Sequence, residues 1–242
     1  MKIKKYALFL IVIFMVALFI GVVDVNAINT GFQTIDIPIE EKKAFLSNVD
    51  IQLINEEPTK KSIACFDVNS NHFIAVGQET LDAEKNKICV YSDEGVFQYG
   101  YSFNCSGSFG VEWDEENLNI YFVRSAMIVS VSQTGEILEA VEVQNTVENN
   151  SYVNHFIHAT ERTIDDTEYS IGNDMGILNW IAPSYSQITV KDISGAENII
   201  YDVNSSLLST TIVVLVIIFV FFSTAIVLVL RRVKEWINSI SD

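Results

Sequence analysis

The sequence lacks the motifs by which a reaction is usually assigned. It contains no Gly-x-Ser-x-Gly elbow and no phosphate-binding glycine loop. It also offers no cysteine in an activating environment and no pair of carboxylates suited to acid–base work. These absences favour a binding or scaffold protein over an enzyme, and we expect no cofactor.

Cysteine and histidine are both scarce, with three of each in 242 residues. An odd number of cysteines cannot pair completely, which excludes a disulfide scaffold. Cys65 and Cys89 fall in predicted strands, where we expect them to be buried as small apolar residues. His155 and His158 would point to opposite faces of a strand and lack a further ligand, so we expect no metal site.

Basic residues are outnumbered about two to one, with 15 Lys and Arg against 31 Asp and Glu. Between residues 28 and 230 the counts are nine and 28, a net charge of about −19. This charge argues against nucleic acid and anionic lipid surfaces as partners, whereas cations and basic peptides are electrostatically permitted. The alternative is a soluble acidic surface without a specific partner.

Residues 1–27 predict a signal peptide. Three lysines precede an unbroken apolar stretch at residues 6–23, and small residues at Val25 and Ala27 are placed for cleavage. The apolar stretch is longer than the usual core of about 7–15 residues. An uncleaved anchor is therefore the alternative.

Residues 207–230 contain no charge, proline or glycine and predict a transmembrane helix. Such a helix reaches about 36 Å, enough to cross a hydrocarbon core of about 30 Å. A buried core helix, the alternative, would need a much larger protein around it. Arg231, Arg232 and Lys234 follow and mark the cytoplasmic side of the cell membrane. Residues 28–206 would then lie outside, with 204–206 as a short tether and 231–242 as a cytoplasmic tail.

Three stretches of the middle region have the same pattern, namely residues 86–103, 126–143 and 187–204. Gly95, Gly135 and Gly195 each follow an isoleucine by the same interval, and alternating apolar residues come after each glycine. Period-two alternation across a glycine turn is typical of a β-hairpin. We therefore predict three hairpins with turn glycines. A short helix is predicted separately at residues 39–49, where acidic residues follow Pro38.

Upstream strands extend this repeat. Residues 62–77 and 108–123 both run from an apolar strand through an aromatic–Asp pair and a polar turn to a second strand. A repeat of about 40–47 residues with four strands is the period of a propeller blade. Residues 62–143, and loosely 165–204, resemble blades of NHL-type β-propellers. The resemblance implies a mainly β domain of about three blade-like antiparallel sheets. These would form a partial or open array, or a ring closed by several chains.

Residues 175–186 are apolar at a position where the first repeat has a polar loop. The segment contains Ile177, Leu178, Trp180 and Ile181 and lies close in sequence to the predicted span. We expect these four residues to contact lipid or the membrane-proximal face of a protein partner. The alternative is that they pack beneath their own sheet.

Together these features predict a membrane-anchored extracytoplasmic binding or scaffold protein. A composition rich in Lys, Ile and Asn is typical of an AT-rich bacterium, and an accessory subunit of an envelope complex would fit this architecture. The partners expected are the lipid bilayer and an envelope protein. The alternative is a hydrolase or lyase that uses a propeller-like face.

Overall fold

The structure is a computed structural model that describes residues 28–78, 80, 84–180 and 184–241, with only the backbone at residues 177 and 235–241. The predicted signal peptide lies outside these residues. The described chain is mainly antiparallel β, as predicted, with strands in three sheets. Its α-helices are α1 (Ile39–Val49), α2 (Val147–Tyr152) and α3 (Asn204–Ser241). The prediction of a helix at residues 39–49 is confirmed.

The first sheet has the strand order β2-β6-β5-β4-β3. Its strands are β2 (Gln52–Ile54), β3 (Ile63–Val68), β4 (Ile74–Gln78), β5 (Asn86–Tyr91) and β6 (Phe97–Phe103). Strands β3 to β6 follow one another as an antiparallel meander, and β2 adds an outer edge beside β6. The hairpin predicted at residues 86–103 is formed by β5 and β6.

The second sheet repeats this arrangement with the order β1-β10-β9-β8-β7. Its strands are β1 (Thr34–Ile35), β7 (Phe109–Asp114), β8 (Asn117–Phe122), β9 (Met127–Val131) and β10 (Ile137–Val143). The third sheet is a plain meander of four strands, β11-β12-β13-β14. These strands are β11 (Glu161–Ile164), β12 (Thr167–Gly172), β13 (Gln187–Lys191) and β14 (Glu197–Asp202).

The first sheet lies between the other two. Because successive side chains of a strand point to opposite faces, neighbours on β5 enter different cores. Ile88 packs against residues of the second sheet such as Leu118, while Cys89 packs against residues of the third sheet such as Tyr169. Both faces of the first sheet are therefore apolar, which explains why its strands β3, β4 and β5 are buried almost throughout.

The outer faces of the stack differ in chemistry. On the second sheet, Phe32 and Ile157 cover Tyr121 and Ile128. Ile157 ends a π-helical turn, Val153–Ile157, that continues α2. The outer face of the third sheet is polar, with Thr163 and Lys191 on either side of Glu168. One end of the stack is thus capped by a helix, and the other presents a solvated sheet face.

A buried ion pair joins the three sheets. The Asp67 carboxylate on β3 accepts a hydrogen bond from Nε of Arg162 on β11 at 2.7 Å. Its other oxygen accepts one from the backbone N–H of Trp113 on β7 at 2.8 Å. The guanidinium also lies over the Phe156 ring at 4.5 Å. Burial raises the pKa of the Asp67 carboxyl, and the Arg162 guanidinium opposes that rise.

The long helix begins directly at the end of the third sheet. β14 ends at Asp202 and α3 begins at Asn204, so only Val203 lies between them. Residues 204–206, predicted as a tether, are therefore the first turn of the helix. Residues 204–234 are long and apolar enough to cross a membrane, and their most apolar window is not covered by the described chain. This is consistent with membrane anchoring.

We predict that Arg162→Met lowers the free energy of unfolding by about 3–5 kcal/mol, because it leaves Asp67 as a buried charge without its ion-pair partner. Denaturant titration of the full-length chain in detergent micelles measures this change. Arg124→Met is the matched control. Arg124 is exposed and pairs with no residue that the structure describes, so its replacement should change stability by less than about 0.5 kcal/mol. Equal effects of the two variants would contradict the role of the ion pair.

Candidate functional site

One end of the third sheet carries both the long helix and the predicted contact segment. Gln187, the first residue of β13, pairs with Gly172 on β12 and with Asp202 on β14. β12 therefore ends, β13 begins and β14 ends along the same edge. The connection between β12 and β13, residues 173–186, consequently lies beside the start of α3.

Ser186 fixes this connection to the helix. Its backbone N–H donates to the Gly172 carbonyl at 2.8 Å, and its own carbonyl accepts from the Val203 N–H at 2.9 Å. Its hydroxyl donates to Oδ1 of Asn204. Val203 is buried in the core between the first and third sheets. Sheet, connection and helix are thus held together at one point.

The first part of the connection, residues 173–180, folds on itself. Oδ1 of Asn179 accepts from the Met175 N–H at 2.7 Å, and Nδ2 of Asn179 donates to the Asn173 carbonyl at 2.9 Å. Met175 is buried, and a 3₁₀ turn at Gly176–Trp180 follows it. These bonds give residues 173–180 a defined shape.

Trp180 is more exposed than Leu178, the other residue of the predicted contact set whose side chain is described. Its side chain is 89% exposed, so it does not pack beneath its own sheet. Leu178 is partly buried, only the backbone of Ile177 is described, and Ile181 lies outside the described residues. An exposed indole combines an apolar ring with a hydrogen-bond donor, which suits a membrane–water interface.

The three predicted turn glycines occupy equivalent turns with the same backbone conformation. Gly95, Gly135 and Gly195 have φ of 77°, 82° and 80°. Each donates its N–H to the carbonyl three residues earlier at 2.9 Å. Such positive φ values favour glycine because a Cβ is strained in this region.

The surroundings of the three glycines differ. A Cβ on Gly95 would lie 2.6 Å from the Ile200 carbonyl oxygen, and one on Gly135 would lie 3.0 Å from Cβ of Leu53. A Cβ on Gly195 would meet nothing within 4 Å. The turns of the first and second sheets thus touch a neighbouring sheet, whereas the turn of the third sheet faces open space.

The histidines are placed differently from the sequence prediction. His155 lies in the π-helical turn and its Nδ1 is 2.8 Å from the Ser151 carbonyl, so the assumption of a strand was wrong. Sequence reasoning also missed His72, whose Nδ1 is 2.7 Å from the Tyr169 hydroxyl. Within the described ranges, no group of three or more His, Cys, Asp or Glu residues could hold a metal ion.

The cysteines lie in two kinds of environment. Cys65 and Cys89 are buried, as expected, on β3 and β5. Burial raises the pKa of the Cys89 thiol to about 12, so it is protonated and unreactive at neutral pH. Cys105 is partly exposed and lines a cleft of about 550 Å³ with Phe45 and Arg124. No sequence motif had indicated this cleft.

Sequence reasoning also missed the hydrogen-bond partners of two buried carboxylates, Glu112 on β7 and Asp67 on β3. Glu112, buried on β7, accepts from the Tyr152 hydroxyl at 2.6 Å and from the Gly31 N–H at 3.0 Å. The aromatic–Asp pattern did mark Asp67, but its partner Arg162 is 95 residues away. Both networks have structural rather than chemical roles, since they tie strands to the segments that cover them.

Comparison with known proteins finds no family model, no curated protein and no solved structure that matches this chain. The resemblance to NHL-type blades therefore stays a prediction. What the chain does has to be inferred from its own geometry.

We predict that Gly95→Ala destabilises the protein more than Gly195→Ala. Both variants bear the strain of a positive φ, about 1–2 kcal/mol. Only the methyl group at position 95 would also press on a backbone carbonyl, which adds about 1–3 kcal/mol. Denaturant titration of the two full-length variants under the same conditions measures the difference. If both lose the same stability, the contact between the turn and β14 is not tight.

Proposed function

We propose that this chain is a single-pass membrane protein whose extracytoplasmic β domain binds or positions a partner at the bilayer surface. The observation that supports this proposal best is the junction between β14 and α3. A single buried residue, Val203, separates the sheet from the apolar helix, and Ser186 bonds to Asn204 across the junction. The domain would then keep a fixed orientation relative to the membrane, rather than being joined to its helix by a flexible linker.

The orientation proposed for the chain rests on charge. Arg231, Arg232 and Lys234 follow the apolar stretch of α3, and basic residues at the end of a span favour the cytoplasmic side. The β domain would then lie outside the cell membrane, with residues 1–27 acting as the signal that exports it. A short cytoplasmic tail would end the chain.

The contact proposed for the 175–186 segment rests on exposure and position. Ser186, the last residue of the segment, is bonded to the start of the apolar helix, and this supports a position at the membrane end of the domain. Trp180 projects from it with its indole exposed. We assign Trp180 to the lipid interface of the outer leaflet, where an indole is stabilised by contact with both headgroups and acyl chains. A partner's membrane-proximal face is the other surface it would fit.

The repeat is proposed to be an open stack of blade-like sheets. Each sheet contains a four-strand meander, and each meander has a glycine of positive φ in its last turn. The apolar outer face of the second sheet is covered by α2 and the π-helical turn, and the outer face of the third sheet is polar. These coverings favour a stack that ends with this chain over a ring completed by further chains.

A binding role fits these features better than catalysis does. Two buried carboxylates have close structural partners, in the pairs Asp67–Arg162 and Glu112–Tyr152. We therefore propose a non-enzymatic subunit of an envelope assembly. The membrane-distal turns and the exposed β13–β14 hairpin are the surfaces left for a protein partner.

The proposed orientation predicts opposite labelling of two engineered cysteines. Ile193→Cys, on a turn residue that is 81% exposed, should react with a membrane-impermeant maleimide on intact cells. Ser239→Cys should react only after the cells are permeabilised. Labelling of the wild-type chain measures the background from the native cysteines. The reverse pattern would place the β domain in the cytoplasm and contradict the proposal.

The proposed lipid contact predicts that Trp180 fluorescence is quenched by brominated lipid. Full-length protein is reconstituted into vesicles with and without brominated acyl chains, and the emission of Trp180→Phe is subtracted from that of wild type to isolate Trp180. We expect the isolated emission to fall by about half, because bromine quenches only indoles within contact range and interfacial indoles reach the upper acyl chains.

The control for this experiment is stability. Since Trp180 is exposed, Trp180→Ser should leave the melting temperature within about one degree of wild type. Unquenched Trp180 emission would exclude lipid contact. A large loss of stability in Trp180→Ser would show instead that the indole packs within the domain.

A further inference from the structure

Two lysines of the acidic domain lie close to one carboxylate. Nζ of Lys61 lies 2.8 Å from the Glu84 carboxylate. Lys61, and to a smaller extent Lys87, lowers the pKa of Glu84. Arg124 lines the same cleft as Glu84. Among the described residues, these three cations lie in or near one cleft, although the net charge of residues 28–230 is about −19.

Arg124 is the cation of this group that remains available. Its guanidinium forms no hydrogen bond or ion pair with any residue that the structure describes, and it is exposed. Its aliphatic stem lies against Gly107, where an added Cβ would be 3.5 Å from Cβ of Arg124. The packed stem leaves the planar head free to form two parallel hydrogen bonds to an oxyanion.

The cleft beside Arg124 is lined by both polar and apolar residues. Its volume is about 550 Å³, a size that suits a small organic ligand. The polar lining residues include Asn48, Ser106 and Ser125. Phe45 and Phe122 also line the cleft, and their rings meet edge to face at 5.4 Å. An anion that carries an apolar portion would suit both kinds of lining residue.

The cleft opens at the end of the domain that carries the membrane helix. Ser186, bonded to Asn204 at the helix start, follows Tyr185, whose carbonyl accepts from the Ile63 N–H at 2.8 Å. Two residues before Ile63, Lys61 reaches Glu84 on the cleft rim. This series of contacts connects the start of α3 to the cleft through the adjacent ends of the first and third sheets.

We propose that this cleft binds the phosphodiester headgroup of an anionic glycerophospholipid. The phosphate would accept the two hydrogen bonds of the Arg124 guanidinium, with Lys87 adding long-range attraction, and the glycerol carbons would lie against Phe45 and Phe122. This inference rests on the proposed function, because the domain must stand against the bilayer for the cleft to reach a headgroup. Net charge alone argues against such a partner, but charge distribution decides a local contact.

The test is lipid-dependent stabilisation of the full-length chain in uncharged detergent micelles. Phosphatidylglycerol, phosphatidylcholine and water-soluble glycerophosphoglycerol are titrated separately, and the melting temperature is followed at each concentration. We expect phosphatidylglycerol to raise the melting temperature saturably and phosphatidylcholine to leave it unchanged. Arg124→Met should weaken the apparent affinity for phosphatidylglycerol at least about tenfold, the loss of about 1.4 kcal/mol.

Lys191→Met is the matched control, because Lys191 is an exposed cation on the outer face of the third sheet, away from the cleft. It should bind phosphatidylglycerol as wild type does. The proposal is overturned if Arg124→Met also behaves as wild type, or if phosphatidylcholine stabilises equally. If glycerophosphoglycerol alone matches the lipid, the ligand is a soluble phosphodiester and the lipid assignment is wrong.

Failure of this inference is distinguishable from failure of the proposed function. Quenched Trp180 emission without any response to phosphatidylglycerol would remove only the headgroup site. The opposite result is Arg124-dependent binding of phosphatidylglycerol together with unquenched Trp180 emission. That result would contradict the proposed orientation of the domain on the bilayer.

Discussion

The ion pair between Asp67 and Arg162 is the constraint on which the arrangement of the sheets depends. A carboxylate that is 3% exposed loses its hydration, and only a close cation and a backbone donor offset that loss. Arg162 comes from the third sheet and the donor, Trp113, from the second. Asp67 therefore holds one strand of each sheet, β3, β7 and β11, next to the other two. Since the apolar helix follows the third sheet, this pair also links the other two sheets to the element that carries that helix.

Local patterns in the sequence predicted the elements well and their assembly poorly. The hairpins, the helix at residues 39–49 and the apolar helix each have a period or a composition that a single stretch of chain reveals. No helix was predicted at residues 147–157, where α2 and the π-helical turn form, and the two histidines there had been considered only on a strand. The position of the first sheet between the other two depends on contacts such as Ile63–Tyr185, which no periodicity encodes.

The two candidate sites also differ in how far the sequence predicted them, because one is formed by a single stretch of chain and the other by distant residues. Trp180 belongs to one short apolar segment, so its unusual composition was visible beside the polar loop of the first repeat. The cleft at Arg124 is assembled from α1, from the connection after β6 and from the connection after β8. Its residues are far apart in sequence and each is ordinary alone. Only folding brings the Arg124 guanidinium, two phenyl rings and the amides of Asn48 and Asn104 to one opening.

A single residue between β14 and α3 joins the β domain directly to the apolar helix. The apolar stretch of α3, residues 207–230, has a length of about 36 Å, somewhat beyond a hydrocarbon core of about 30 Å. In a membrane, an apolar helix longer than the hydrocarbon core accommodates the difference by tilting. With one residue at the junction, the β domain would lean together with the helix, and its distal turns would move sideways and towards the surface. Bilayer thickness would thereby set the direction in which the domain presents itself to its neighbours.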